Sequence, residues 1–357
     1  MKNWEANIRK VVPYIPGEQP TQTNVIKLNT NENPYPPSPK AAAVIKTTDT
    51  DSLRLYPDPA AGKLVHAIAK AYHLKDDQVF VGVGSDDVLA MCFLTFFNGK
   101  SPILFPDITY SFYDVWADLF RIPYETVPLD DNFKMKPEDY FRPNGGIVLA
   151  NPNAPTGIEL EQGSIRRILE KNRDCIVIVD EAYVDFGGES CLPMLEDFDN
   201  LIVVQTFSKS RNLAGMRIGY AMASPSLIRY LNDVKYSFNS YTMNRLVIEA
   251  GAAAVEDDEY FRACCDRIIR TREWAKEELR ARGFHFADSR TNFIFASHEL
   301  VSASELFEAL RRAGIFVRHF PKERISNYLR ITVGTPEQMK ALFDFLDDYL
   351  PGASTRM

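Results

Sequence analysis

No apolar run in this sequence approaches the roughly 20 residues needed to cross a bilayer. The opening stretch, Met1 to Lys10, is polar and mixed in charge, without the apolar core of a secretory signal. Cysteine is scarce. Cys92, Cys175, Cys191, Cys264 and Cys265 form no C-x-x-C pair, so neither a disulfide framework nor a redox motif is expected. His66, His73, His285, His298 and His319 are scattered, with no H-E-x-x-H string, which argues against a metal site. Basic charge is also short: 41 Lys and Arg against 48 Asp and Glu leave a net charge of −7. A phosphate backbone needs a basic face, so bulk nucleic acid is excluded as a partner. These absences predict a cytoplasmic protein that works on small molecules.

What is present is ordinary globular material. Hydrophobic residues make up 45% and charged residues 25% of 357, enough for a large core. At roughly 150 residues per domain the length suggests about two domains. The N-terminal fifty residues hold Pro13, Pro16, Pro20, Pro34, Pro36, Pro37 and Pro39, which argue against a regular helix there. Tyr14, Ile15, Val25, Ile26 and Tyr35 lie between them and predict an extended arm that packs on something. From Lys63 apolar residues recur at helical spacing. Short β-rich runs follow at 79–83, 102–105, 146–150, 175–180 and 201–206, mostly separated by helical stretches such as 85–97 and 162–172. Buried strands alternating with helices predict an α/β fold with a mostly parallel sheet between helices. After Ser224 the chain turns helical, with a long amphipathic stretch over 259–282. Shorter strands (284–287, 292–296, 315–318, 328–333) and helices (303–313, 336–350) then predict a smaller α+β domain. The expected division is an arm over 1–45, a large domain over 46–260 and a small one over 261–357.

The strongest chemical signal is Ser208-Lys209, just after the apolar run Leu201–Thr206. Ligands of open α/β sheets bind at the carboxyl ends of strands. A lone lysine there is ordinarily a solvated loop residue, but three other features change its meaning. Asp180 ends the run Val-Ile-Val-Asp, so it is either a helix N-cap or a carboxylate for the ring nitrogen of pyridoxal phosphate (PLP). Tyr183 lies three residues on, within reach of the ring's phenolic oxygen. Gly82-Val-Gly84-Ser85-Asp86-Asp87 stands between a strand and a helix, where free backbone N–H groups bind an anion. It is not a G-x-G-x-x-G dinucleotide turn, and a single phosphate suits it better. Arg217 follows Lys209 closely, and with Ser208 and the 84–86 turn its planar fork could close a phosphate cup.

Taken with Leu28-Asn-Thr-Asn-Glu-Asn-Pro-Tyr, Tyr56-Pro-Asp, Asn151-Pro-Asn-Ala-Pro-Thr-Gly, Asp180-Glu-Ala-Tyr and Leu329-Arg-Ile-Thr-Val-Gly, these strings resemble the histidinol-phosphate aminotransferase family. That family belongs to the class II PLP aminotransferases of fold type I. The likeness runs from about residue 5 to 348. It implies a large domain with a mostly parallel sheet of the seven-stranded type, a small α+β domain, and amino transfer between histidinol phosphate and 2-oxoglutarate.

The resemblance also implies roles. Lys209 would carry PLP as a Schiff base and shuttle the proton at the substrate Cα. Asp180 and Tyr183 would contact the ring nitrogen and phenolic oxygen, and Tyr110 would stack on the ring. Gly84, Ser85, Asp86, Thr206, Ser208 and Arg217 would hold the cofactor around its phosphate. Tyr56 would reach the phosphate of a partner subunit, making a homodimer with shared sites. Tyr14 and Asn31 would line the substrate pocket, Arg330 would bind the substrate's anionic group, and Arg318 would either assist or form a surface salt bridge.

Some residues depart from the family pattern. Ala154 replaces the asparagine that usually bonds the cofactor's phenolic oxygen, so either Asn153 moves in or Tyr183 acts alone. Gln205 stands in place of a frequent arginine, and Ser210-Arg211-Asn212 departs from the usual Ala-Phe-Gly. An aromatic aminotransferase or an amino-acid-phosphate decarboxylase of the same fold would share every cofactor residue. A non-catalytic PLP-binding regulator would need a DNA-binding module that the proline-rich arm does not supply.

Overall fold

The computed structural model describes residues 2–350; residues 1 and 351–357, the ends of the expected arm and small domain, lie outside the described residues. The chain opens with β1 (Ile26–Lys27), α1 (Pro39–Lys46) and α2 (Gly62–Ala71). It then runs β2 (Val79–Gly82), α3 (Ser85–Phe96), β3 (Ile103–Pro106), α4 (Tyr113–Phe120), β4 (Tyr124–Val127) and β5 (Gly146–Ala150). Next come α5 (Gln162–Lys171), β6 (Val177–Asp180), β7 (Leu201–Thr206) and β8 (Gly219–Ala223), then α6 (Pro225–Phe238), α7 (Arg245–Val255) and α8 (Asp258–Ala281). The C-terminal part holds β9 (Phe284–Phe286), β10 (Phe293–His298), α9 (Ala303–Arg312), β11 (Ile315–Phe316), β12 (Arg318–His319), β13 (Leu329–Thr332) and α10 (Pro336–Tyr349).

Seven strands form one sheet in the order β2-β8-β7-β6-β5-β3-β4. All its pairings are parallel except those of β8, which runs antiparallel to both β2 and β7. The apolar runs read from the sequence become β2, β3, β5, β6 and β7, each buried along its whole length. That is the pattern expected of strands covered on both faces. One apolar cluster packs α2 and α5 on one face, and a second packs α3, α4 and α6 on the other.

Four further strands, in the order β12-β13-β10-β9, form an antiparallel sheet, which shares a core with α8, α9 and α10. Residues 26–27 pair in parallel with 315–316, so the N-terminal segment joins this second unit. One expectation needs correction. The proline-rich start does hold a regular helix, because Pro39 is the first residue of α1 and Ser38 caps it by accepting from Ala41 N at 3.1 Å. Proline fits there, since a first-turn N–H has no intrahelical partner anyway. Among the described residues no helix is long and apolar enough to cross a membrane.

Candidate active site

The carboxyl ends of β6 and β7 deliver Asp180 and Thr206 to one edge of the large sheet, and the turn after β2 brings Ser85 there. The antiparallel β8 starts at this edge: Gly219 stands opposite both Gly82 and Thr206. Arg217, two residues earlier, is therefore delivered from the opposite chain direction. A cavity of about 320 Å³ opens here, with Ser85, Asp86, Tyr110, Asp180, Tyr183, Thr206, Ser208, Lys209 and Arg217 in its wall. Thr30, Glu32, Ala150, Ala154, Ala182, Ala214 and Gly215 complete the lining.

Asp180 faces this space from a buried position and Lys209 from a half-buried one. The Lys209 ammonium donates to Thr30 O at 3.0 Å. Burial first, then the nearby Arg330 charge, pulls its pKa down to about 8. Asp180 is 5% exposed, and burial pushes its carboxyl up to about 6. Two donors oppose that rise: Tyr113 Oη–H at 2.8 Å and Ala182 N–H at 3.2 Å. Tyr183 Oη accepts from Asn31 Nδ2 at 2.9 Å, which leaves its own O–H free to donate. Asn31 Oδ1 in turn accepts from Thr332 Oγ1, and Asn31 holds a left-handed φ of 56°. Strained backbone of this kind gathers at functional sites.

The turn between β2 and α3 is built from backbone. Gly84 has φ 88°, and no side chain caps the first N–H groups of α3. Arg217, also left-handed at φ 54°, extends its guanidinium over this turn. It donates to Ser208 Oγ at 3.4 Å, Ala214 O at 3.2 Å and Asp86 Oδ2 at 3.3 Å. Tyr110 Oη–H donates to the other Asp86 oxygen at 2.7 Å, which holds its ring in the cavity wall. A side chain at Gly84 would collide with the Arg217 guanidinium.

The outer residues divide. Arg330, on β13, donates to Asn29 O at 3.0 Å, while its buried Nε has no partner among the described residues. Burial lowers its pKa. Among the described residues Arg318 neither lines the cavity nor forms a salt bridge: its N–H groups donate to Ile15 O at 3.1 Å and Pro16 O at 3.3 Å. It holds the N-terminal arm. Tyr14 stacks on Phe112 with centroids 4.2 Å apart, over the start of α4. Tyr56 lies outside its own chain's cavity, 79% exposed, with its ring against Tyr241.

Asn153 requires a correction. It does not enter the cavity wall; Ala154 does. The Asn153 amide is spent on the segment after β3 and on its own loop, donating to Ile108 O and Thr156 Oγ1 and accepting from Thr109 Oγ1. Tyr113, Thr30 and Glu32 were not singled out from sequence.

The departures after Lys209 also have partners. Gln205 accepts from Tyr72 Oη and Tyr220 Oη, both at 2.7 Å, and donates to Glu181 at 2.8 Å. Ser210 donates to Asp185 at 2.5 Å. Arg211 is buried with its guanidinium 4.1 Å from the centre of the Phe261 ring. This loop carries a buried arginine two residues after Lys209, where the family's frequent arginine would lie four residues before it.

Residues 23–346 match the family model described as aminotransferase class I and II. The chain is 53% identical over 348 residues to a histidinol-phosphate aminotransferase of Lactococcus lactis subsp. cremoris strain MG1363, covering 98% of each protein. It is 50% identical over 347 residues to one from Pseudomonas syringae pv. syringae strain B728a, covering 97% of this chain and 99% of that one. A solved structure of histidinol-phosphate aminotransferase from Sinorhizobium meliloti, in complex with pyridoxal-5'-phosphate, superposes with a TM-score of 0.81. At 23% identity, with 92% and 90% of the two chains covered, that likeness speaks for the fold. With a lysine and a buried carboxylate facing one cavity beside the uncapped start of α3, and with relatives at half identity over nearly their full length, this chain belongs to the histidinol-phosphate aminotransferase family of class I and II aminotransferases.

Proposed function

We propose that the protein is a PLP-dependent transaminase that moves an amino group between histidinol phosphate and 2-oxoglutarate, in the manner its relatives' names describe. The observation that carries it is the single cavity wall shared by Lys209, Asp180 and the Gly84–Arg217 anion turn.

The donor set suits PLP. The uncapped start of α3, Ser208 and Arg217 would hold its phosphate. Asp180 would hold the ring nitrogen, Tyr183 the phenolic oxygen, and Tyr110 the ring face. Thr206 supports Ser208 by accepting from its backbone N–H at 3.1 Å. With Ala154 in the wall, Tyr183 is the hydroxyl donor for the phenolic oxygen, positioned by Asn31. When bound, the cofactor supplies an electron sink for the pair left at the substrate Cα. Lys209, with its pKa already drawn towards neutrality, would take the proton from the substrate Cα and deliver it to C4′ of the cofactor in one half-reaction, and move a proton in the opposite direction in the other. Arg330 offers an unpaired buried N–H to the substrate's anionic group, and one guanidinium can take phosphate in one half and carboxylate in the other. The two substrates therefore use one site in turn, by a ping-pong route.

The same proposal includes a homodimer in the cytoplasm. It is supported by the exposed cluster of Leu53, Leu55, Tyr56, Phe238 and Tyr241, which an isolated chain would leave wet, and by five free cysteines. It also includes the division at about residues 45 and 260, supported by the pairing of 26–27 with 315–316.

Purified protein should turn yellow on PLP addition, and Lys209→Ala should not. Absence of the colour in the wild-type chain sinks the cofactor assignment. On a panel of histidinol phosphate, phenylalanine and threonine phosphate, kcat/KM should be highest for histidinol phosphate. A wide margin for phenylalanine would refute the substrate reading.

A further inference from the structure

We propose that Tyr113 is the positioning residue for Asp180: its hydroxyl pins one carboxylate oxygen from the core side, while the same carboxylate lines the cavity. This rests on the cofactor reading above. Asp180 closes β6, and its two hydrogen bonds come from Tyr113 on Oδ2 and from Ala182 N–H on Oδ1. The Tyr113 bond is the shorter, at 2.8 Å against 3.2 Å, and it comes from a different element, α4.

The other ionisable groups that face Asp180 are all at the cavity. Asp86, on the first turn of α3, opposes its charge, and Lys209 favours it. Tyr110 and Tyr183 share the wall. The neighbouring strands β5 and β7 contribute only Ala150 and Thr206 to that wall. Cofactor and substrate would alter every cavity-side group as they come and go, whereas Tyr113 stays constant behind the carboxylate.

Tyr113 is built to remain a donor. Its side chain is fully buried, and burial together with the Asp180 charge holds its phenol far above the ordinary value. Its ring stacks on Phe93 at 6.2 Å and meets Phe105 and Tyr110 edge-on at 5.8 and 5.7 Å. Those contacts fix the ring, so the hydroxyl points one way. A buried carboxylate without such a donor takes up a proton and can no longer hold an opposite charge.

Tyr113→Phe keeps the ring contacts and deletes the donor. The test is the PLP dissociation constant of the apoprotein, followed by fluorescence between about pH 5 and 9, a window bracketing the carboxyl and amine concerned. Removing a donor to the carboxylate raises its pKa, so the acid limb of binding moves to higher pH. We expect a shift of about one pH unit, which reduces affinity by about tenfold on the acid side and by about twofold at neutral pH. If the variant binds as wild type does, or is weakened by the same factor at every pH, Tyr113 is merely structural and the proposal is overturned. Should Tyr113→Phe fold poorly, a fluorinated, more acidic tyrosine placed at 113 makes the converse test. A stronger donor should move the acid limb down, and an unmoved limb overturns the proposal. Wild-type protein that takes up no PLP overturns this inference and the cofactor reading together. Wild-type uptake with an indifferent Tyr113→Phe overturns this inference alone.

Discussion

At the scale of single residues, burial does most of the chemistry. Lys209 is an ordinary amine made reactive by removal from water and by the Arg330 charge, which together lower its pKa to about 8. Its neutral form is the one that attacks a carbonyl. Covalent capture of PLP by the apoprotein should therefore accelerate as pH rises through about 8, well below the value for a free lysine. Stopped-flow absorbance checks this, and a rate that rises only near pH 10 would refute it. Glu181, the neighbour of Asp180, shows how specific such sites are. It is buried, with its pKa pushed up to about 7, and it accepts from Cys191 N, Ser190 Oγ and Gln205 Nε2. All three partners are donors, so an amide cannot replace it. Glu181→Gln should cost about 1–3 kcal/mol in a urea melt, because an N–H would face an N–H or O–H. Residue type alone leaves some choices open. Asn153 and Ala154 are adjacent, and only the tertiary geometry decides that the alanine faces the cavity while the asparagine amide bonds Ile108 and Thr156.

At the scale of elements, the direction of β8 organises the anion turn. An antiparallel strand between β2 and β7 starts where its neighbours end, and so places Arg217 beside Ser85 and Ser208. The close approach depends on Gly219, where an added Cβ would collide with the backbone at Gly84 and Ser85. Gly219→Ala should push the turn away from β8, lowering stability by about 1–3 kcal/mol, as overpacking does. PLP affinity should fall with it; a urea melt and a PLP titration test both, and a variant unchanged in both would show that the turn tolerates the shift. This strand was not legible in the sequence. Gly-Tyr-Ala-Met-Ala has weak strand propensity, and hydrogen bonding to neighbours on both sides makes it a strand. β4, on the sheet edge, is half exposed and likewise lacks a continuous apolar run. The five strands of this sheet that were legible are buried and rich in large or β-branched apolar residues; β8 is equally buried, but its Gly and Ala residues do not mark it as a strand.

At the scale of the molecule, the N-terminal arm ties the two sheets together. Arg318 on β12 and Arg311 on α9 hold Ile15, Pro16 and Glu18, while Tyr14 rests on Phe112 beside α4. Arg318→Ala should free the arm: proteolysis near Gly17 should quicken, and KM for both substrates should rise several-fold with kcat little changed, as expected when binding alone is lost. A drop in kcat with an unchanged cleavage rate would instead make Arg318 a direct substrate contact. The exposed Tyr56 carries the dimer proposal. Mixing Lys209→Ala with Tyr56→Ala chains should recover activity above either parent, since one site of each mixed dimer is intact. No recovery, despite subunit exchange seen by native mass spectrometry, would confine Tyr56 to its own chain.

The sequence by itself determined the α/β sheet, the chemical identity of the lysine, carboxylate and arginine, and the family, because buried strands and short motifs are local patterns. Only the tertiary structure decided which neighbour faces the cavity, that Arg318 serves the arm, and that Tyr113 stands behind Asp180. Those facts depend on strand direction, turn geometry and packing between segments far apart in the chain. Lys209 was legible as a residue; its environment, including Thr30 and Arg330 contributed from either end of the chain, exists only in the fold.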